Sequence, residues 1–242
     1  MLKQIKEKIK KEQFNPSVLG IFINPFYFAR KGLINHITDL SQHIHGKTLD
    51  IGCGQKPYRS LFHVSEYLGL EIDSPENRVH KSADYFYDGG VFPFEDKQFD
   101  SIVINQVFEH VFNPDHFLIE VRRVIKPKGK LLITVPFIWD EHEQPFDYAR
   151  YSSFGLRFIL EKNGFEIKEC RKSVNDIRVI FQLINTYLYK KTNTTNKYLN
   201  FLVVLFLIAP FNIFGELLGK ILPTNEDLYL DLVILAQENS AE

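Results

Sequence analysis

Two short apolar runs constrain this chain more than anything else in it. Thr48-Leu49-Asp50-Ile51 enters Gly52-Cys53-Gly54, and about twenty residues later comes Tyr67-Leu68-Gly69-Leu70-Glu71-Ile72-Asp73. Each reads as a buried strand ending in glycine or polar sequence. The two glycines let the backbone turn sharply and approach a ligand, because no Cβ stands in the way. An acid closing the second strand is placed to accept hydrogen bonds from the two hydroxyls of a ribose. The pair predicts an α/β sheet that holds an adenosine-containing cofactor. The third glycine of the dinucleotide fingerprint G-x-G-x-x-G is missing, since Gly54 is followed by Gln55, Lys56, Pro57 and Tyr58. Pro57 suits the first turn of a helix instead. A nicotinamide-dependent oxidoreductase is thereby disfavoured.

From Lys47 onward strand and helix patterns alternate. Thr48–Ile51, Tyr67–Ile72, Phe99–Ile104 and Lys130–Val135 read as strands, with final strands at Glu166–Arg171 and Leu228–Leu235. Tyr58–His63, Pro114–Val124 and Ser152–Asn163 read as helices, with Lys126–Gly129 as a turn and Gly164 as a helix stop. Such alternation predicts a doubly wound, mostly parallel sheet with helices on both faces. Residues 1–46 form a helical cap in this reading, with Ile5 and Ile9 on one face of a lysine-rich helix over Lys3–Lys11 and a second helix over Phe26–His43. Residues 47–178 form the core, 179–225 an apolar helical insertion, and 226–242 the final strand and tail.

The 242 residues suffice for one full core. A formal net charge of −1 gives no electrostatic reason to expect nucleic-acid binding. Cys53 and Cys170 are too few for a disulfide framework and lack zinc-ligand spacing, so no metal is expected. Cys53 reads as a small residue inside the turn. No apolar run follows the lysine-rich start, so no secretory signal is expected, and a reducing cytoplasmic setting is.

Taken together, the blocks in residues 47–163 resemble the S-adenosylmethionine-dependent methyltransferases of the seven-stranded Rossmann-like class, especially the small-molecule branch called type 11. Leu49–Gly54 matches the loop that wraps the methionine end of the cofactor, which implies roles for Asp50, Gly52, Cys53 and Gly54. Glu71 matches the ribose-binding acid, with Ile72 beside it and Asp73 as the substitute if the register slips by two. Ala83-Asp84 followed by Phe92-Pro93-Phe94 and Phe99-Asp100 resembles the loop whose acid accepts the adenine amino group. Asp84, with Tyr85 beside it, matches by position, and Asp88 is the second candidate. Asn105-Gln106-Val107-Phe108-Glu109-His110-Val111 resembles the stretch across the active-site mouth, and Glu120–Lys130 the helix and turn before strand five. The resemblance implies methyl transfer from S-adenosylmethionine and leaves oxygen, nitrogen and carbon acceptors open.

Past the fifth strand runs Val135–Tyr151, dense in titratable and aromatic groups at the sheet edge where α/β folds bind ligands. It is similar to the H-E-x-P-x-D-Y-x-R-Y segment of some family members. His142 is the candidate general base, because imidazole titrates near neutrality and can accept a hydroxyl proton. Asp147 and Glu143 can orient it or bind a polar acceptor, Arg150 can hold an anion bidentately, and Tyr148 and Tyr151 can wall the site. The bland alternative is a structural lid in which Asp147 and Arg150 pair with each other. His110, beside Glu109, is the competing histidine.

Residues 199–222 are strongly apolar and approach the length of a membrane span, but Pro210 interrupts them and Asn212, Glu216 and Lys220 follow. A pair of helices is expected there. Three roles are open to it: an apolar cap over a small-molecule or lipid-linked acceptor, a homodimer interface, or peripheral contact with the inner face of a membrane. Lys190, Lys191 and Lys197 favour anionic lipid. The leading function is methyl transfer to such an acceptor, at oxygen; the alternative is a methyltransferase-like protein that binds cofactor or partner without turnover.

Overall fold

Runs of Val, Ile and Leu between glycine- and proline-bearing turns make the parallel centre of one sheet. The computed structural model describes residues 11–80 and 82–239, so all but the last residue of the helix expected over Lys3–Lys11 lies outside the described residues. In chain order the elements are α1 (Tyr27–Leu40), β1 (Lys47–Ile51), β2 (Glu66–Ile72), α2 (Pro75–His80), β3 (Tyr85–Tyr87), β4 (Phe99–Asn105), α3 (Pro114–Val124), β5 (Ile125–Pro136), α4 (Ser153–Lys162), β6 (Phe165–Ser173), α5 (Arg178–Thr192), α6 (Lys197–Val203), α7 (Ala209–Gly219) and β7 (Asp231–Glu238). The seven strands lie in the order β3-β2-β1-β4-β5-β7-β6. β1 pairs in parallel with β2 and β4, β2 with β3, and β4 with β5. Leu230 N donates to Ser173 O and Asn239 N to Gly164 O, so β7 runs antiparallel to β6. The sheet is therefore mixed, and its order reverses at β1, where open α/β sheets bind ligands beyond the strand ends.

Sequence accounts for the local choices. Leu49, Ile51, Ile102, Val103, Ile104, Leu131, Leu132 and Ile133 are buried without alternation, as strands covered on both faces must be. Asn113 caps α3 by accepting from His116 N at 3.2 Å, Pro114 opens it, and Arg122 and Arg123 close it. Ser152 caps α4, and Gly164, at φ +84°, ends it.

Four sequence expectations change. Tyr58–His63 forms only a 3-10 turn, Arg59–Leu61, because the short link between the glycine turn and β2 is taken up by tight bonds such as Lys56 N to Cys53 O and Leu61 N to Tyr58 O. Lys126–Gly129 lies within β5, where the pairing slips between Phe99↔Ile125 and Ser101↔Lys130; Lys128, at φ +61°, absorbs the bulge. β3 was not expected as a strand. Finally, Pro210 does not split the apolar segment.

Contacts divide the chain into two compact units. One takes the chain up to Asn35 with Lys172–Asp231, the other His36–Arg171 with the chain from Leu232. In the first, helix runs from Lys197 to Gly219 without a break. A π-helical stretch, Val204–Ile208, precedes Pro210, and this wider turn accommodates a residue that cannot donate and that crowds the carbonyl before it. The partner of this helix is α5. Asn185 donates to Asn212 at 2.8 Å, and Asn212 donates in turn to the Ile21 and Asn24 carbonyls. Gln182 accepts from the Phe28 and Ala29 N–H groups and donates to Pro25 O. These buried amides hold the helices to the one-turn helix Gly20–Ile23, to the link after it and to the start of α1.

Candidate active site

The glycine turn leaves β1 with both glycines at positive φ, +68° at Gly52 and +53° at Gly54. At Gly52 a Cβ would lie 2.3 Å from Val107 Cγ2, so a side chain is excluded there. At Gly54 it would meet nothing within 4 Å, so the turn opens onto space that a ligand can fill. Glu71, buried at the end of β2, accepts from Gly54 N at 3.0 Å. Glycine turn and acid are thus joined at the carboxyl edge of the sheet, with Ile72 exposed just beyond. Cys53 Sγ fills the space above Gly69, where a Cβ would lie 2.5 Å from it, and burial pushes its thiol up to about 12. Asp50 accepts from Tyr67 Oη at 2.7 Å, and burial raises its carboxyl to about 7.

Asp84 does not reach this edge. It precedes β3, opposite Gly69, and its carboxylate accepts from Gly69 N at 2.7 Å and pairs with Lys56. Against the penalty of burial, these donors hold its pKa below the usual carboxylate range. Tyr85 lies at the same amino end of β3, edge-on to Phe94 at 4.9 Å. Asp88 instead follows β3 directly, at the carboxyl end that neighbours Ile72. Geometry thus favours the second candidate over the first. Asn105 ends β4, and Gln106, at φ +54°, donates its N–H to Thr134 O at 2.9 Å.

Beyond Gln106 and Val107 the chain places Glu109 in full burial, with Tyr148 N and Ala149 N donating to its backbone carbonyl. Those two bonds draw the loop after β5 over the end of β4. His142 Nε2 and His110 Nε2 each stand 3.7 Å from Glu109 Oε1, and the two imidazoles meet edge to face at 4.8 Å. The facing Glu109 carboxylate holds His142 above its ordinary pKa, against the opposing effect of burial. Asp147 Oδ2 accepts from His142 N at 3.0 Å and lies 3.3 Å from His142 Nδ1. Arg150 grips both oxygens of Asp147, at 2.6 and 2.7 Å, and donates to the Ala149 and Asp140 carbonyls. Despite burial, Arg150 and the His142 N–H hold Asp147 down at about 2.

Arg150 engages both terminal nitrogens within the loop, where it positions Asp147. Glu143 is exposed on a turn at φ +51°. Tyr148 is exposed against Phe112, and Tyr151 packs on Phe108 at 5.2 Å. Glu109 is the site residue to which the sequence assigns no role of its own; its one signal there is the adjacent His110.

Similarity to known proteins agrees with this geometry. The family model described as a methyltransferase domain matches residues 49–133, from β1 into β5. The uncharacterised protein MJ1123 of Methanocaldococcus jannaschii is 30% identical over 161 residues, 62% of this chain and 77% of that one. A fatty-acid O-methyltransferase of Mycolicibacterium smegmatis is 34% identical over 112 residues, 41% of this chain and 40% of its own. The fold superposes on phosphoethanolamine N-methyltransferase 2 of Haemonchus contortus, solved with S-adenosyl-L-methionine, with a TM-score of 0.52 at 20% identity over 94% of this chain and 58% of that one. A glycine turn that opens onto space, a buried acid bonded to it and a matching family model over the same strands lead to one conclusion: the chain belongs to the S-adenosylmethionine-dependent methyltransferases, with S-adenosylmethionine as its cofactor.

Proposed function

We propose that the chain methylates an oxygen of a small-molecule or lipid-linked acceptor. One observation carries this reading: His110 and His142 both face the buried Glu109 just past β4, where Val107 packs on Gly52. When bound, S-adenosylmethionine supplies an activated methyl on a sulfonium. The protein's task is then to place the acceptor in line, exclude water and remove one proton. In this reading Gly52 and Gly54 admit the methionine end, Glu71 accepts from the ribose hydroxyls, and Asp88 accepts from the adenine amino group. The acceptor hydroxyl sits at the histidine cluster, with His142 oriented by Asp147 and Asp147 by Arg150.

Oxygen is favoured because a hydroxyl needs proton removal, and this cluster is built of groups that accept protons. The name of the Mycolicibacterium relative, a fatty-acid O-methyltransferase, supports both an oxygen acceptor and an apolar one. The apolar helix before β7 supports the same acceptor class. The test follows S-adenosylhomocysteine formation with panels of hydroxyl, carboxyl and amine acceptors, soluble and lipid-linked. Turnover with hydroxyl acceptors, lowered about a hundredfold or more in His142→Gln, is the expected result. Turnover confined to amines would remove the oxygen assignment.

A further inference from the structure

Glu109 carries a buried carboxylate whose two oxygens accept no hydrogen bond among the described residues. A charge taken out of water in this way is unfavourable unless a cation completes it. The groups facing it are two imidazole nitrogens, the Nε2 atoms of His110 and His142, each 3.7 Å from Oε1. Both histidines have acceptors at their other nitrogen. His110 Nδ1 lies 2.9 Å from Phe146 O, and His142 Nδ1 lies 3.3 Å from both Asp147 Oδ2 and Asp140 O. Arg150 Nη2 stands 3.5 Å from the same Nδ1, but it bonds to Asp147 at 2.7 Å. Acceptors at Nδ1 select the tautomer protonated there, which leaves a lone pair on each Nε2, directed toward Glu109.

We propose that Glu109 Oε1, His110 Nε2 and His142 Nε2 bind one divalent transition-metal ion of the zinc type. The donor atoms all lie within 4.8 Å of one another. Ligands about 2.1 Å from a tetrahedral ion stand about 3.4 Å apart, so the carboxylate-to-histidine spacings need to contract only slightly. Two imidazoles and one carboxylate suit zinc or ferrous iron rather than magnesium or calcium, which prefer all-oxygen shells. The surroundings complete the argument. A histidine ligand whose second nitrogen meets a carboxylate is the recurring outer shell of such sites, and Asp147, fixed by Arg150, supplies it. Three protein ligands leave a coordination position open.

Binding of the ion stands on this geometry alone; its chemical role rests on the proposed oxygen methylation. In that role His110 and His142 would serve as ligands rather than as the proton acceptor, and the open position would hold the acceptor hydroxyl oxygen and lower its pKa. The proton would pass to water, and the oxygen lone pair would form the new bond to the methyl carbon while the carbon–sulfur pair stays on sulfur.

The test uses the full chain stripped of metal with a chelator, titrated with zinc chloride in a calorimeter and with cobalt(II) in a spectrophotometer. S-adenosylmethionine is titrated separately against the same unaltered protein. One equivalent of zinc is expected, together with visible cobalt bands that zinc displaces. Glu109→Gln and His142→Gln each lower zinc affinity by a hundredfold or more, and Asp147→Asn lowers it about 10–100-fold. Absence of cobalt bands in the unaltered chain overturns the proposal, whether or not a variant folds. Zinc binding that is equal in all the variants overturns it too, as surface binding. Cofactor binding without zinc binding removes the metal and leaves the methyltransferase reading intact; zinc binding without cofactor binding does the reverse.

Discussion

Asp50 gives the residue scale its clearest pH prediction. Burial raises its carboxyl to about 7, so between about pH 4 and 7 the folded chain keeps a proton that the unfolded chain has lost. More protons bound in the native state means stability falls as pH rises through that window, by about 4 kcal/mol in all, and levels off above it. Asp50→Asn keeps an acceptor for the Tyr67 hydroxyl and removes the slope. Urea unfolding at pH 5 and 7.5 checks this: parallel losses in both proteins would sink the assignment. The acids flanking β3 give a second prediction. Asp88→Ala weakens S-adenosylmethionine binding about tenfold, the loss expected for one hydrogen bond to a ligand. Asp84→Ala chiefly lowers the melting temperature, because it releases Gly69 N and Lys56. Calorimetry on both variants decides, and the opposite order would return the role to Asp84. Spacing alone could not separate these two acids, because the three-residue strand between them has too short a pattern to detect. Glu71 was legible for the converse reason, since it closes a long apolar run. Glu109 was not, because its burial depends on a loop that returns only after β5.

At the scale of elements, the strands other than β3, together with α3, are legible in apolar runs and capping residues, but the course of the insertion is not legible in Pro210. Proline stops a helix only where the preceding turn stays α-helical, and here a π-helical stretch widens that turn. What holds the insertion is close packing. Gly215 of α7 sits against the Phe28 ring, so a Cβ there would lie 2.5 Å from Phe28 Cζ and 3.2 Å from Phe181 Cβ. Gly215→Leu should therefore destabilise the protein by about 1–3 kcal/mol through overpacking of a buried contact. Urea melts check it, and an unchanged midpoint would show that α7 can move away from α1 at little cost. Such a helix–helix approach is invisible in sequence, where Gly215 reads as one small residue in an apolar run.

For the molecule as a whole, the unresolved physical problem is apolar surface. Helix from Lys197 to Gly219 is long and apolar enough to span a bilayer, yet only 28% of its apolar window is buried. Tyr198 is 86% exposed and Phe206 72%, with Phe201, Phe214 and Leu217 also exposed. Monomeric soluble proteins rarely leave contiguous apolar patches of this kind uncovered. A net charge of −1 supplies little long-range attraction, so any membrane association must come from apolar insertion aided by nearby lysines such as Lys190, Lys191 and Lys197. The full chain is thus expected to float with vesicles containing anionic lipid and to keep much of that binding in high salt. Phe206→Glu with Phe214→Glu should abolish flotation while leaving S-adenosylmethionine binding in place, because both residues lie in the other compact unit from the glycine turn. Sedimentation equilibrium supplies the opposing outcome. If the chain is a dimer without lipid, fails to float, and becomes monomeric with the same two substitutions, the face meets a second copy. A lipid-linked acceptor then loses its structural support, although the oxygen chemistry at the histidine cluster does not.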